Sequence, residues 1–183
     1  MGHSTAVDTA RLPMVEVEAN VPDETRAMFD KFVSQRGRVP NLFRVAALRP
    51  TIAQTLAAHL DAVMGPGEVS GLLKELIACR VSQINSTPYC LASHSKLAKK
   101  QGGTDAQLAA MADQDYAAFE PGWSAAFAYA SEVAAPGGYV NDATFAALAE
   151  HWTAPQIVEI TAVATAFSLF NRFADALNIP ITT

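Results

Sequence analysis

Apolar residues recur along this chain at three- and four-residue spacings, and no stretch alternates with period two over a strand's length. The punctuation between the periodic runs marks out helices. Pro22, Asp23 and Glu24 open one that reaches about Arg36, where Gly37 stops it. Asn41 is placed to cap a short helix over 42–48, which Pro50 closes. Pro50 also opens the next helix, with Ile52, Leu56, Leu60 and Val63 on one stripe, and Gly65-Pro66-Gly67 ends it. A middle helix runs over about 70–85. Thr87 is then the expected N-cap, with Pro88 in the first turn, of a helix that ends near Gln101. Thr104 and Gln107 form a capping-box pattern. A helix over 122–135 and one from Asn141 or Asp142 to His151 follow. Thr153, Pro155 and Gln156 start a last one of about six turns, ending before Ile179-Pro180. The pattern predicts an all-α, single-domain helical bundle of eight or nine helices with short connections. Residues 1–20 read as an irregular arm and 21–183 as the helical domain.

The last helix has Ile157, Ile160, Val163, Phe167, Phe170, Ala174 and Leu177 on one stripe, and apolar residues over most of the rest. A helix apolar nearly all round is expected to be central or to meet another subunit. Composition sharpens the point. Of 183 residues 50% are hydrophobic and only 17% charged, and 35 are Ala, the best helix former. The surplus apolar surface is therefore expected in subunit contacts. The net charge of −5, with no dense Lys/Arg run, argues against nucleic acid as a partner. Glu159, Asn171, Arg172 and Asp175 interrupt 157–177 as a membrane span, and Met1–Ala10 lacks the basic start and apolar run of a secretory leader. The expected setting is the cytoplasm, without a membrane, where the two thiols stay reduced.

Of those two, Cys90 is the more suggestive. As the third residue of a helix, it meets unpaired N–H groups and the positive end of the dipole, which lower a thiol pKa. His94 stands one turn further along the same face, with Leu91, Leu97 and Ala98, while Lys96, Lys99 and Lys100 turn away. Such a pair can support proton transfer beside a nucleophile. The plainer alternative is a core thiol beside a satisfied buried histidine. Glu75, on the preceding helix, falls near Lys74, Ala78 and Ser82, so its pattern alone favours a solvated carboxylate. Cys79 lies one turn beyond it and reads as a buried thiol.

Glu75, followed by Asn85-Ser86-Thr87-Pro88-Tyr89-Cys90-Leu91-Ala92-Ser93-His94, resembles the carboxymuconolactone decarboxylase superfamily, in its alkylhydroperoxidase D-like, peroxidase-related branch. That family's pattern is a Glu fifteen residues before the second Cys of a Cys-x-x-Cys, with a His four after it. Glu75, Cys90 and His94 match at those spacings. Arg38-Val39-Pro40-Asn41-Leu42-Phe43, the Gln101-Gly102 helix end and the Asn171-Arg172 pair add weaker likeness, and the resemblance covers about residues 20–180. It implies an alkylhydroperoxidase D-like domain. It also implies a second Cys that attacks peroxide and pairs with the first, while Glu, His and water relay the proton. Here Thr87 occupies the first Cys position, and Thr87 and Tyr89 are expected to shape the site.

Three readings follow from that departure. Cys90 acts alone and an external thiol reduces its sulfenic acid; Cys79 serves as a displaced resolving thiol; or His94 and Glu75 perform cofactor-free acid–base chemistry on a small organic acid. As functions, these weigh a thiol-dependent peroxidase with antioxidant activity against a decarboxylase or isomerase of a small carboxylated lactone. The third possibility is a non-catalytic oligomeric protein with a vestigial site. The acid–base reading needs an anion-binding group, and neither Arg44 nor Arg172 can be positioned from sequence. No cofactor is expected, and the spacing of Cys79, Cys90, Glu75 and His94 is not that of a zinc site. The resemblance implies a homo-oligomer, a trimer or hexamer or else a dimer.

Overall fold

The computed structural model describes residues 10–182 as nine α-helices joined by short connections, with no strand among them. They are α1 (Asp23–Arg36), α2 (Asn41–Ala46), α3 (Pro50–Met64), α4 (Gly71–Ile84) and α5 (Pro88–Lys100). After them come α6 (Asp105–Ala112), α7 (Pro121–Ala134), α8 (Asp142–Ala149) and α9 (Ala154–Ala176). A 3-10 turn at Tyr116–Ala118, which the apolar pattern does not signal, joins α6 to α7. For residues 1–9, the expected arm and the reading of the leader lie outside the described residues. Residues 10–20 carry no helix and are tied down: the Arg11 amide donates to Leu177 O at 2.8 Å and that of Val15 to Arg44 O at 3.1 Å.

The bundle is built around α4, not α9. Every residue from Leu73 to Ser82 is buried, with α5, α7 and α9 packed around it. Sequence disguises this because α4 carries Lys74, Glu75 and Arg80, and a buried charge is tolerated only with partners. Each has them. Lys74 Nζ pairs with Glu159 Oε2 at 2.8 Å and donates to Gly65 O at 3.0 Å. Arg80 donates to Ser131 Oγ (3.0 Å) and Met111 O (3.3 Å) and lies over the Tyr116 ring. The Glu159 carboxylate also accepts from the amides of Glu68 and Val69. Its burial opposes ionisation, but the Lys74 hydrogen bond and these amides prevail and hold its pKa below the ordinary carboxylate range.

Helix α9 buries one face only. Ile160, Val163, Phe167, Phe170 and Ala174 pack inward, while Val158 is 67% exposed and Leu169 is also exposed. By length and composition alone it could cross a membrane, but within this chain it is a core helix whose polar residues Glu159 and Asn171 are engaged internally. Two local expectations are corrected. On α3 the buried stripe is Ala53, Ala57, Leu60 and Val63, and Ile52 is exposed. Asn41 does not cap α2 but begins it, and its amide side chain donates to Pro180 O at 3.1 Å. Long-range packing outweighs the local capping preference there.

Candidate active site

A tight turn folds α5 back along α4. Ser86 takes the left-handed conformation (φ 54°), and the Thr87 amide donates to Ser82 O at 2.9 Å, closing the end of α4. The hairpin sets Glu75 opposite His94. Their side chains meet at 2.6 Å, Glu75 Oε2 to His94 Nδ1, with only 5% and 6% of the two residues exposed. The solvated alternative for Glu75 is thus corrected: tertiary packing, not its position on the helical wheel, places the carboxylate inside. With Nδ1–H donated to the carboxylate, Nε2 is left as the basic nitrogen of the imidazole. The edge of the ring meets Phe167, with centroids 4.4 Å apart, which fixes its tilt.

Cys90 lies one turn before His94 on the same face, as its spacing predicts, and is 3% exposed. Its electrostatics differ from the sequence expectation. Burial pushes the thiol up to about 12, hydrogen bonding from Asn171 pulls it down, and the Asp175 carboxylate raises it further. Desolvation therefore outweighs the helix dipole. Asn171 is held by two neighbours: its Oδ1 accepts from Asn85 Nδ2, and its Nδ2 donates to Ser82 Oγ, both at 3.1 Å. In the sequence Asn171 stands out only as a break in the apolar run of the last helix and as half of the Asn171-Arg172 pair. Its position four residues after Phe167 was the available signal, since an Asn on an apolar helix face requires partners.

Thr87 occupies the N-cap position of α5, but its side chain makes no capping bond. The hydroxyl donates instead to Asp175 Oδ2 at 2.6 Å and ties the foot of α5 to α9. Tyr89 Oη accepts from the Leu42 amide at 3.0 Å and from Thr182 Oγ1 at 3.4 Å. Burial raises its pKa. Cys79 is fully buried, and burial pushes its thiol up to about 12 as well; its Sγ lies 3.7 Å from Ser95 Oγ. Both cysteines are free thiols, Cys79 facing Ser95 and Cys90 facing Asn171.

Cys90 and His94 line one cavity of about 30 Å³, with Tyr89, Ser93, Phe167 and Phe170 among its walls. Since 10–15 Å³ is enough to hold one water, the space suits a group of two or three heavy atoms. Arg36 also borders it. Neither Arg44 nor Arg172 does: Arg44 is spent on Val15 O and Glu16, and Arg172 is exposed. Among the described residues no three His, Cys, Asp or Glu side chains gather as a metal-ligand set.

Comparison with known proteins agrees with this fold. A model of the carboxymuconolactone decarboxylase family matches residues 50–132, the stretch holding Glu75, Thr87, Cys90 and His94. YnjA of Escherichia coli (strain K12), an uncharacterized protein, is 26% identical over 145 residues, 79% of this chain and 75% of that one. An uncharacterized peroxidase-related protein from Ralstonia eutropha JMP134, described as an alkylhydroperoxidase AhpD core, is 28% identical. It superposes with a TM-score of 0.84 over 94% of this chain and 92% of its own. A peroxidase-related protein from Silicibacter sp. TM1040, 23% identical, has a TM-score of 0.86 over 100% and 96% of the two chains and shows the same fold.

Proposed function

Since the chain belongs to the carboxymuconolactone decarboxylase superfamily of alkylhydroperoxidase D-like, peroxidase-related proteins, we propose that it is a thiol-dependent peroxidase using a single cysteine. The observation that carries this reading is the buried His94–Glu75 pair at 2.6 Å, whose His94 lines the same small cavity as Cys90. A thiol held near pKa 12 is neutral at neutral pH and needs a base at the moment it attacks. His94 Nε2 takes the Cys90 proton, and Glu75 orients the ring and stabilises the imidazolium. The sulfur attacks the terminal peroxide oxygen. The S–O bond forms as the O–O bond breaks, and the leaving alkoxide receives the proton from His94. The balance is Cys90–SH plus ROOH giving Cys90–SOH plus ROH, with sulfur oxidised by two electrons.

Thr87 cannot supply a resolving sulfur, so an external thiol completes the cycle. One thiol displaces water from the sulfenic acid to form a mixed disulfide; a second releases Cys90–SH and leaves as the external disulfide. A cytoplasmic setting would provide such thiols. The test is a stoichiometric dose of hydroperoxide followed by mass spectrometry with a sulfenic acid trap. One trapped adduct on Cys90, lost in Cys90→Ser, supports the reading, and continued hydroperoxide consumption by Cys90→Ser overturns it.

One observation favours a second reading. Cys90 is un-ionised at rest while Arg36 borders the cavity, which suits acid–base chemistry on a small carboxylated lactone with His94 and Glu75 as the proton carriers. In that case Cys90→Ser keeps activity and His94→Ala loses it. For assembly, the outward side chains Val158 and Leu169 on α9 and Phe145 on α8 support a homo-oligomer.

A further inference from the structure

Of the 13 Lys and Arg side chains, four pair with a carboxylate among the described residues. Lys31 pairs with Asp61, Arg44 with Glu16, Lys74 with Glu159 and Lys99 with Asp105. Of the cations that do not, four gather in one place. Arg36, Arg38, Lys96 and Lys100 have no carboxylate partner among the described residues, and all four line one cleft of about 230 Å³. The cleft walls include no acidic residue, on a chain that carries 18 Asp and Glu against 13 Lys and Arg. Such a gathering of like charges is unfavourable unless something neutralises it. Between the cations the walls are apolar: Pro40, Ala92, Leu97 and Ile181 contribute.

The position of the cleft gives it meaning. Arg36, Pro40, Tyr89 and Ser93 line both this cleft and the small cavity that holds Cys90 and His94. The cleft is therefore the vestibule of the proposed site. A molecule reaching Cys90 by this route passes four cations that no carboxylate neutralises, so its outer end is held there while its inner end meets the sulfur.

We infer that this vestibule binds the carboxylate of a small organic anion whose other end reaches Cys90. The inference rests on the peroxidase reading and deepens it. Two molecules of that reading share this chemistry: the organic hydroperoxide that oxidises Cys90, and the external thiol that reduces it. Four cations on a low-dielectric rim raise the local concentration of anions, and the apolar walls accept a short hydrocarbon body.

The experiment has three arms. In the first, benzoate and benzyl alcohol are titrated into the ¹⁵N-labelled protein. Amide shifts at Tyr89, Ser93 and Leu97 are expected for benzoate only, and are expected to vanish in the Lys96→Glu/Lys100→Glu variant and weaken in Arg38→Glu. In the second, cumene hydroperoxide and its para-carboxylate are compared for the rate of Cys90 oxidation. In the third, the sulfenic acid made with hydrogen peroxide is reduced by mercaptopropionate or by mercaptoethanol. A preference of about tenfold for the anion at low salt, falling to near one in the charge-reversed variants, is expected in the second or third arm. The arm that shows it identifies the anion as substrate or as reductant. Equal shifts for benzoate and benzyl alcohol, or no charge preference in either kinetic arm, overturn the inference. Absence of any Cys90 oxidation by hydrogen peroxide would instead sink the peroxidase reading, and the benzoate titration still reports on the vestibule. The Lys96→Gln/Lys100→Gln variant provides a milder check should charge reversal disturb folding.

Discussion

Thr87 Oγ1 donates a hydrogen bond to Asp175 Oδ2 across 2.6 Å, joining residues 88 positions apart at the foot of the helix that carries Cys90. The hydroxyl stands where the resemblance would put a thiol, and it has taken up a structural task. The same carboxylate raises the pKa of Cys90. Substitutions at these two positions therefore separate anchoring from reactivity.

Replacing Thr87→Cys is expected to restore a local resolving thiol. After one equivalent of hydroperoxide, mass spectrometry should find a disulfide between the introduced thiol and Cys90 in place of a trapped sulfenic acid. Loss of the Asp175 bond should cost about 1 kcal/mol by urea unfolding, a modest figure because Asp175 is solvent-exposed. Persistent sulfenic acid in this variant would show that the two positions cannot be bridged.

Asp175→Asn removes a negative charge that opposes the thiolate. Alkylation of Cys90 by iodoacetamide at pH 8 should accelerate several-fold as its pKa falls. An unchanged rate would mean that burial alone sets the reactivity.

The raised thiols also predict an alkaline stability profile. Both Cys79 and Cys90 titrate from 9.0 as free thiols to about 12 in the folded chain. Between those values the folded state holds protons that the unfolded state has lost, so stability falls as pH rises above about 9. The expected slope is roughly 1 kcal/mol per pH unit for each thiol. Urea unfolding from pH 7 to 10.5 should show the decline, and Cys79→Ala should flatten it without touching the Cys90 contribution.

The His94–Glu75 pair predicts kinetics. Glu75→Gln leaves the shape but removes the charge that stabilises the imidazolium, and His94→Ala removes the base. Oxidation of Cys90 at pH 7 should fall about 10²-fold in His94→Ala and less in Glu75→Gln. At pH values near the thiol pKa the His94→Ala deficit should narrow, because hydroxide then removes the proton.

Light scattering after size exclusion should give a multiple of 19.4 kDa, with a trimer or hexamer expected and a dimer next. Val158→Asp with Leu169→Asp should shift the mass downward if the outer face of α9 is the contact. A monomer at all concentrations refutes the assembly.

Much of the fold was legible because its signals are local. The Thr104–Gln107 capping box forms with both of its bonds, Gln156 reaches back to the Thr153 amide at 2.9 Å, and Asn141 caps α8 through Thr144 at 2.8 Å. The shared face of Cys90 and His94 was legible for the same reason, since a four-residue spacing on a helix is fixed geometry. What could not be read depends on neighbours distant in sequence. Glu75 looked solvated until α5, α7 and α9 closed around α4. Thr87 looked like a cap until Asp175 offered a charged acceptor. The dipole argument for Cys90 was sound locally and lost to burial supplied by α9. Arg36 and Arg38 come to line one cleft with Lys96 and Lys100 only when the chain has folded, so the vestibule has no signature along the chain.

The way the site is enclosed has a kinetic consequence. Glu75, Cys90 and His94 belong to one hairpin of short separation, whereas Phe167 and Phe170, which wall the cavity at Cys90, come from α9, far along the chain. Contacts of such separation carry the larger loop-closure cost and form late in folding. A nascent chain is therefore expected to assemble its proton relay before it covers its thiol. During that interval Cys90 is more open to solvent than in the folded chain, where it is 3% exposed.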